Sequence, residues 1–102
     1  ENEYITYVGN IYNRVDDVII RKWRSNKYWA PYSKEQLEST ANLVTYLCKE
    51  FNIPMEVVNH NTKINNVNSF NGVMYKSNIN QYYTDVNPCW DFLEFKNKVE
   101  IN

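Results

Sequence analysis

The chain has 102 residues, 11 basic and 12 acidic side chains and a formal charge of −1. That length makes one domain or part of one, with a single small core. The charge balance argues against a general nucleic-acid binder, and no apolar run approaches the roughly 18 residues that cross a bilayer, so neither a nucleic-acid partner nor a membrane span is expected.

Residues 4–8, Tyr-Ile-Thr-Tyr-Val, are β-branched and aromatic and suit a strand punctuated by Gly9-Asn10. Val15 with Val18-Ile19-Ile20 reads as a second short strand, with Asp16-Asp17 as a turn inside it. Residues 21–32 interleave the cations Arg21, Lys22, Arg24 and Lys27 with the rings of Trp23, Tyr28, Trp29 and Tyr32. Two readings stay open here. The rings and cations form a surface for a polar ligand, or the segment is a loop pinned to the core by its aromatics.

Residues 33–52 are expected to be a helix. Ser33 and Gln36 have capping-box spacing, and Leu37, Ala41, Val44, Cys48 and Phe51 recur at helical steps. Pro54 stops the helix near Asn52, because it disfavours helical geometry at Ile53. Residues 55–58 read as a short buried strand leading to His60, the only histidine. Residues 61–82 form a long polar excursion, and such a segment usually hides short elements or serves function. Phe70, Val73 and Tyr75 are its expected anchors, with Asn71-Gly72 as a turn. A second helix is expected over residues 88–99, opened by Pro88 and striped by Phe92, Phe95 and Val99. The two cysteines, Cys48 and Cys89, carry no disulfide spacing signal, and a bridge between them stays open.

Imidazole, thiolate and carboxylate are the donors zinc prefers, which makes His60, Asp85 and Cys89 the candidate ligands. Twenty-four residues separate His60 from Asp85, so spacing alone does not join them, and a hydrogen-bonded structural histidine is the alternative. Four segments in order carry more information. They are Pro31-Tyr32-Ser33-Lys34-Glu35-Gln36-Leu37, then Leu43-Val44-Thr45-Tyr46-Leu47-Cys48-Lys49-Glu50-Phe51-Asn52-Ile53-Pro54, then Val57-Val58-Asn59-His60, and last Thr84-Asp85-Val86-Asn87-Pro88-Cys89-Trp90-Asp91-Phe92. Together they resemble the C-terminal half of the zinc-dependent N-acetylmuramoyl-L-alanine amidases, a family that includes phage lysozyme-type amidases and is related to peptidoglycan recognition proteins.

The resemblance implies an α/β fold, with a partial mixed sheet flanked by the two helices and the whole chain forming the C-terminal portion of one domain. It implies that His60 and Asp85 are zinc ligands and that a further ligand comes from an upstream segment or a second chain. The implied reaction is zinc-assisted cleavage of the amide between N-acetylmuramic acid and L-alanine in peptidoglycan, in an extracellular or cell-wall-facing setting such as a phage lysin or virion. Tyr83 stands where family members often carry a lysine that stabilises the transition state, and Lys76 is a candidate substitute. Val86-Asn87 replaces the family's proline and glycine. Trp23, Trp29 and Tyr75 are the expected substrate-binding rings. The alternatives are a non-catalytic peptidoglycan-binding or structural module of the same fold, and an unrelated small α/β binding domain.

Overall fold

The computed structural model describes residues 4–6, 9–14 and 17–101. They form a small mixed α/β arrangement of two antiparallel two-stranded sheets and two helices. Strands β1 (Tyr4–Ile5) and β2 (Ile11–Tyr12) pair around Gly9-Asn10. Strands β3 (Ile19–Trp23) and β4 (Asn26–Trp29) make a hairpin. Helices α1 (Lys34–Phe51) and α2 (Phe92–Glu100) follow. The radius of gyration is 15.3 Å, where a compact chain of about this length has ~13 Å. The small β1–β2 ribbon meets the hairpin through Tyr4 against Tyr28 at 5.0 Å.

Helix α1 has the expected capping box. Ser33 Oγ accepts from the Gln36 amide at 3.0 Å, and Gln36 Oε1 accepts from the Ser33 amide at 2.6 Å. A cap of this kind stabilises a helix by about 1 kcal/mol. Asn52 closes the helix in the left-handed region at φ 55, donating its amide to the Cys48 carbonyl. Leu37, Ala41, Thr45 and Cys48 form the buried face. Both cysteines are free, so the open disulfide is not made.

Helix α2 begins later than Pro88. Its cap is Asp91, whose Oδ1 accepts from the Glu94 amide at 3.0 Å, and residues 88–90 make a turn instead. Its inner face, Phe95 and Val99, packs with Leu37, Ala41, Val57, Tyr75 and Trp90 in one core. Burying each large apolar side chain there contributes about 1.5–3 kcal/mol. The outer arc of α1 leaves Leu43, Leu47 and Phe51 exposed. Among the described residues no helix is long and apolar enough to cross a membrane.

Two expectations need correction. The sheet is not mixed: both named sheets are antiparallel, and the one parallel element is an isolated bridge between Val57 and Val73. Residues 55–58 make only a single bridge to Val73, through Glu56 and Val58, and on the opposite edge α2 takes the hydrogen bonds of Val57. Its amide donates to Glu100 Oε2 at 2.8 Å, and its carbonyl accepts from Lys96 Nζ at 2.7 Å. Lys96 and Glu100 also pair with each other at 2.7 Å, and the Lys96 ammonium together with the Val57 amide holds the Glu100 carboxyl below its ordinary pKa. The Val73 amide reaches the Glu56 carbonyl at 2.9 Å, and Gly72 makes this approach feasible: a Cβ there would lie 2.9 Å from that same oxygen.

Of residues 21–32, those up to Trp29 belong to the hairpin and residues 30–32 lead irregularly into α1. The hairpin turn places Arg24 and Ser25 at φ 52 and 70, values that glycine or asparagine usually supplies. The polar excursion does hide short elements, two 3₁₀ turns at Val67–Ser69 and Lys76–Asn78. Tyr7, Val8, Val15 and Asp16, part of the expected N-terminal strands, lie outside the described residues.

Candidate functional site

His60 follows the Val57–Val73 bridge and is half-buried between two rings. It stacks on Phe92 at 4.0 Å with an interplanar angle of 18°, and it meets Trp23 at 5.2 Å. Trp23 is fixed from behind by donating its indole N–H to Asn61 Oδ1 at 2.8 Å. The Nδ1 atom of His60 is buried and has no hydrogen-bond partner among the described residues. Burial lowers the imidazole pKa, and the Arg24 and Arg21 guanidiniums push it the same way. The ring is therefore held neutral at pH 7, the form in which imidazole offers a lone pair.

Hydrogen bonds through Asn78 and Ser77 tie the segment after His60 to the backbone of Asp85. Asn78 is the junction: its Nδ2 donates to the Thr62 and Asn59 carbonyls at 2.7 and 3.3 Å, and its Oδ1 accepts from the Tyr75 amide at 2.8 Å. One residue earlier, the Ser77 amide donates to the Asp85 carbonyl at 3.0 Å. The Asp85 carboxylate is exposed, and its field falls on Tyr32. Burial raises the Tyr32 phenol pKa, opposed by the Asn87 amide donating to its oxygen and reinforced by Asp85 and Cys89. Burial likewise pushes the Cys89 thiol up, and Arg21 draws it down. Asp85 and Cys89 thus gather beside Tyr32, while the charged neighbours of His60 are arginines. Among the described residues, no three His, Cys, Asp or Glu side chains form a group that could hold a metal ion. One imidazole with a free nitrogen and one exposed carboxylate fall short of the three protein ligands of a catalytic zinc.

Lys76 and Tyr83 meet, the ammonium lying 4.6 Å from the centre of the phenol ring. Both are exposed. The expected substrate-binding rings divide. Trp23 lies against His60. Trp29 is buried, and its indole N–H is committed to the Arg21 carbonyl at 2.6 Å, so its role is to close the hairpin. Tyr75 is also buried, edge-on to Phe92 at 5.1 Å, away from the surface that Trp23 occupies beside His60. Burial pushes its phenol up to about 12. The Trp90 indole lies near enough to oppose that shift, yet the pair lacks hydrogen-bond geometry and both polar atoms are without partners. A cavity of about 590 Å³ opens between α1 and residues 73–90, lined by Tyr32, Thr40, Val44, Tyr75 and Trp90 among others, and neither His60 nor Asp85 lines it.

Sequence reasoning passed over two residues that build this site. Arg24 donates to the carbonyls of Asn80, Tyr83 and Ser77 at 2.9, 2.9 and 3.2 Å, which fastens the hairpin to the loop before Asp85. The interleaved cations of residues 21–27 were its only signal. Asn78 carried none.

The neutral state of His60 sets a pH dependence. The unfolded chain takes up a proton at the ordinary imidazole pKa of about 6.5, which the folded ring resists. The contribution of His60 to stability is therefore complete above that value and is lost as pH falls through it toward the depressed folded pKa. Urea midpoints should drop between neutral and mildly acid pH in the native sequence and stay level across that interval in His60→Phe, which keeps the stack on Phe92. An equal drop in both proteins would show that His60 is not the group responsible. Searches of protein-family models, curated proteins and solved structures find nothing that matches this chain.

Proposed function

We propose that this chain supplies the His60 and Asp85 side of a zinc centre that cleaves the amide between N-acetylmuramic acid and L-alanine in peptidoglycan. A segment outside these residues, or a partner chain, completes the ligand set. The setting is extracellular or cell-wall-facing, as in a phage lysin or virion component. The observation that carries this reading is the unpartnered Nδ1 of a neutral His60, stacked on Phe92 at the end of the 84–92 loop that bears Asp85. A buried ring nitrogen without a partner is uncommon, and a metal ligand role accounts for it. Zinc in such a site supplies Lewis acidity that activates water near neutral pH. Arg21 and Arg24 favour the neutral ligand form but oppose a dication, so the Asp85 carboxylate has to offset them. Lys76 and Tyr83, already in contact, are the groups available to donate to the developing oxyanion.

Elemental analysis of the whole native protein tests the reading. One zinc per chain is expected, and His60→Ala and Asp85→Ala should each lose it while keeping their far-UV circular dichroism. Purified sacculi should release stem peptides that begin with L-alanine. A native protein without stoichiometric zinc overturns the proposal. Zinc without peptide release would favour the non-catalytic wall-binding module of the same fold.

A further inference from the structure

The near-neutral total charge conceals a strong separation. Residues 18–34 contain five of the 11 basic residues and none of the 12 acidic ones, so this segment carries +5 and the other 85 residues −6. The fold concentrates four of those cations on one hairpin: Arg21 and Lys22 on β3, Arg24 in the turn and Lys27 on β4. Among the described residues none of the four pairs with a carboxylate. Arg24 is turned inward onto three carbonyls, and Arg21 donates to the Pro88 carbonyl at 3.2 Å. Lys27 lies over the Tyr28 ring at 5.5 Å, and both lysines are exposed.

Successive residues of a regular strand point to opposite faces. Here the register shifts between Ile20 and Trp23, a bulge that re-aims the side chains of Arg21 and Lys22. As a result Arg21 and Lys22 line one hollow of about 470 Å³ together with Ile20, Ser25, Asn26 and Lys27. Three cations and a hydroxyl with no acid among them attract an anion. The aromatic rings nearby are already engaged. Trp29 is buried, Trp23 lies against His60 and Trp29, and Tyr28 is taken by Tyr4 and Lys27. Among the described residues of the hairpin, no ring is left without a contact as a platform for a nucleobase.

We infer that this hollow binds the phosphate group of a small phosphate monoester. Lys22, Lys27 and Arg21 balance its charge, Ser25 donates a neutral hydrogen bond, and Ile20 covers the carbon skeleton. The inference is independent of the zinc reading, because none of these side chains is a proposed ligand.

Titration of the whole protein with glycerol 3-phosphate at low salt, followed by amide chemical shifts, tests it. Saturable shifts centred on residues 20–27 are expected, glycerol should produce none, and added salt should weaken binding. Lys22→Ala and Lys27→Ala should each lower affinity by about tenfold, as befits a charge-assisted hydrogen bond. Both lysines are exposed, so circular dichroism should stay unchanged. Equal responses to glycerol and its phosphate, or full affinity in the double variant, overturn the inference. A short oligothymidylate that binds far more tightly per phosphate than glycerol 3-phosphate would also overturn it, in favour of base recognition.

Discussion

Replacing Asn78 with alanine is expected to destabilise the fold by about 3 kcal/mol and to disturb the surroundings of His60. The side chain is fully buried and satisfies three backbone groups at once, the Tyr75 amide and the Thr62 and Asn59 carbonyls. Each buried group left without a partner costs about 1–3 kcal/mol, and the 3.3 Å bond to Asn59 is the weakest of the three. Asn78→Asp separates the donor from the acceptor roles. A carboxylate still accepts from Tyr75 but faces two carbonyl oxygens that it cannot serve, and it buries a charge. At neutral pH this variant should be at least as unstable as Asn78→Ala. It should recover in part as acid protonates the carboxyl and restores one donor. Asn80→Ala, at an exposed position two residues on, loses only the solvent-accessible bond that Asn80 Oδ1 accepts from the Tyr82 amide at 2.8 Å and should cost about 1 kcal/mol or less. Urea midpoints followed by tryptophan fluorescence measure all three. If Asn78→Ala and Asn80→Ala unfolded together at the native midpoint, Asn78 would not be the junction between the His60 and Asp85 segments.

That junction also explains what the sequence could and could not convey. Helix α1 was legible because its determinants are local: Ser33 and Gln36 at one end, Pro54 at the other and an apolar period between. The hairpin was not. Its turn residues, Arg24 and Ser25, lack the usual asparagine or glycine, and the Arg24 bonds that fasten it reach 53–59 residues along the chain. Residues 55–58 look like a strand because they include Val57 and Val58. The groups that bond Val57 on its other edge, Lys96 and Glu100, lie about 40 residues away on α2. Pro88 suggested a helix start, yet Asp91 provides the side-chain oxygen that a cap requires. His60 and Asp85 could be nominated from their chemistry. The tie between their two segments runs through Asn78, one of 17 asparagines and indistinguishable from the others in sequence.

Phe95→Ala should be the costliest apolar truncation on α2, at about 3–5 kcal/mol. The Phe95 ring is 2% exposed, 5.5 Å from Trp90 and 6.1 Å from Tyr75, where α2 packs on α1. A chain of this size has a total stability of about 5–15 kcal/mol, and its one core has nothing to redistribute the loss. The cavity left behind would adjoin the Tyr75 hydroxyl and the Trp90 indole N–H, both already without partners. Water entering there would hydrate them and offset part of the cost, so tryptophan emission should shift to the red before global unfolding. Phe95→Leu keeps most of the volume, leaves less room for water and should cost about 1.5 kcal/mol or less. Leu93→Ala is the control on the same helix, because Leu93 is 69% exposed and should be nearly neutral. The expected order of urea midpoints is therefore native, Leu93→Ala, Phe95→Leu and Phe95→Ala, from highest to lowest. A Leu93 variant as unstable as Phe95→Ala would mean that α2 presents the opposite face to the core, and the contacts of Lys96 and Glu100 with Val57 would fail with it.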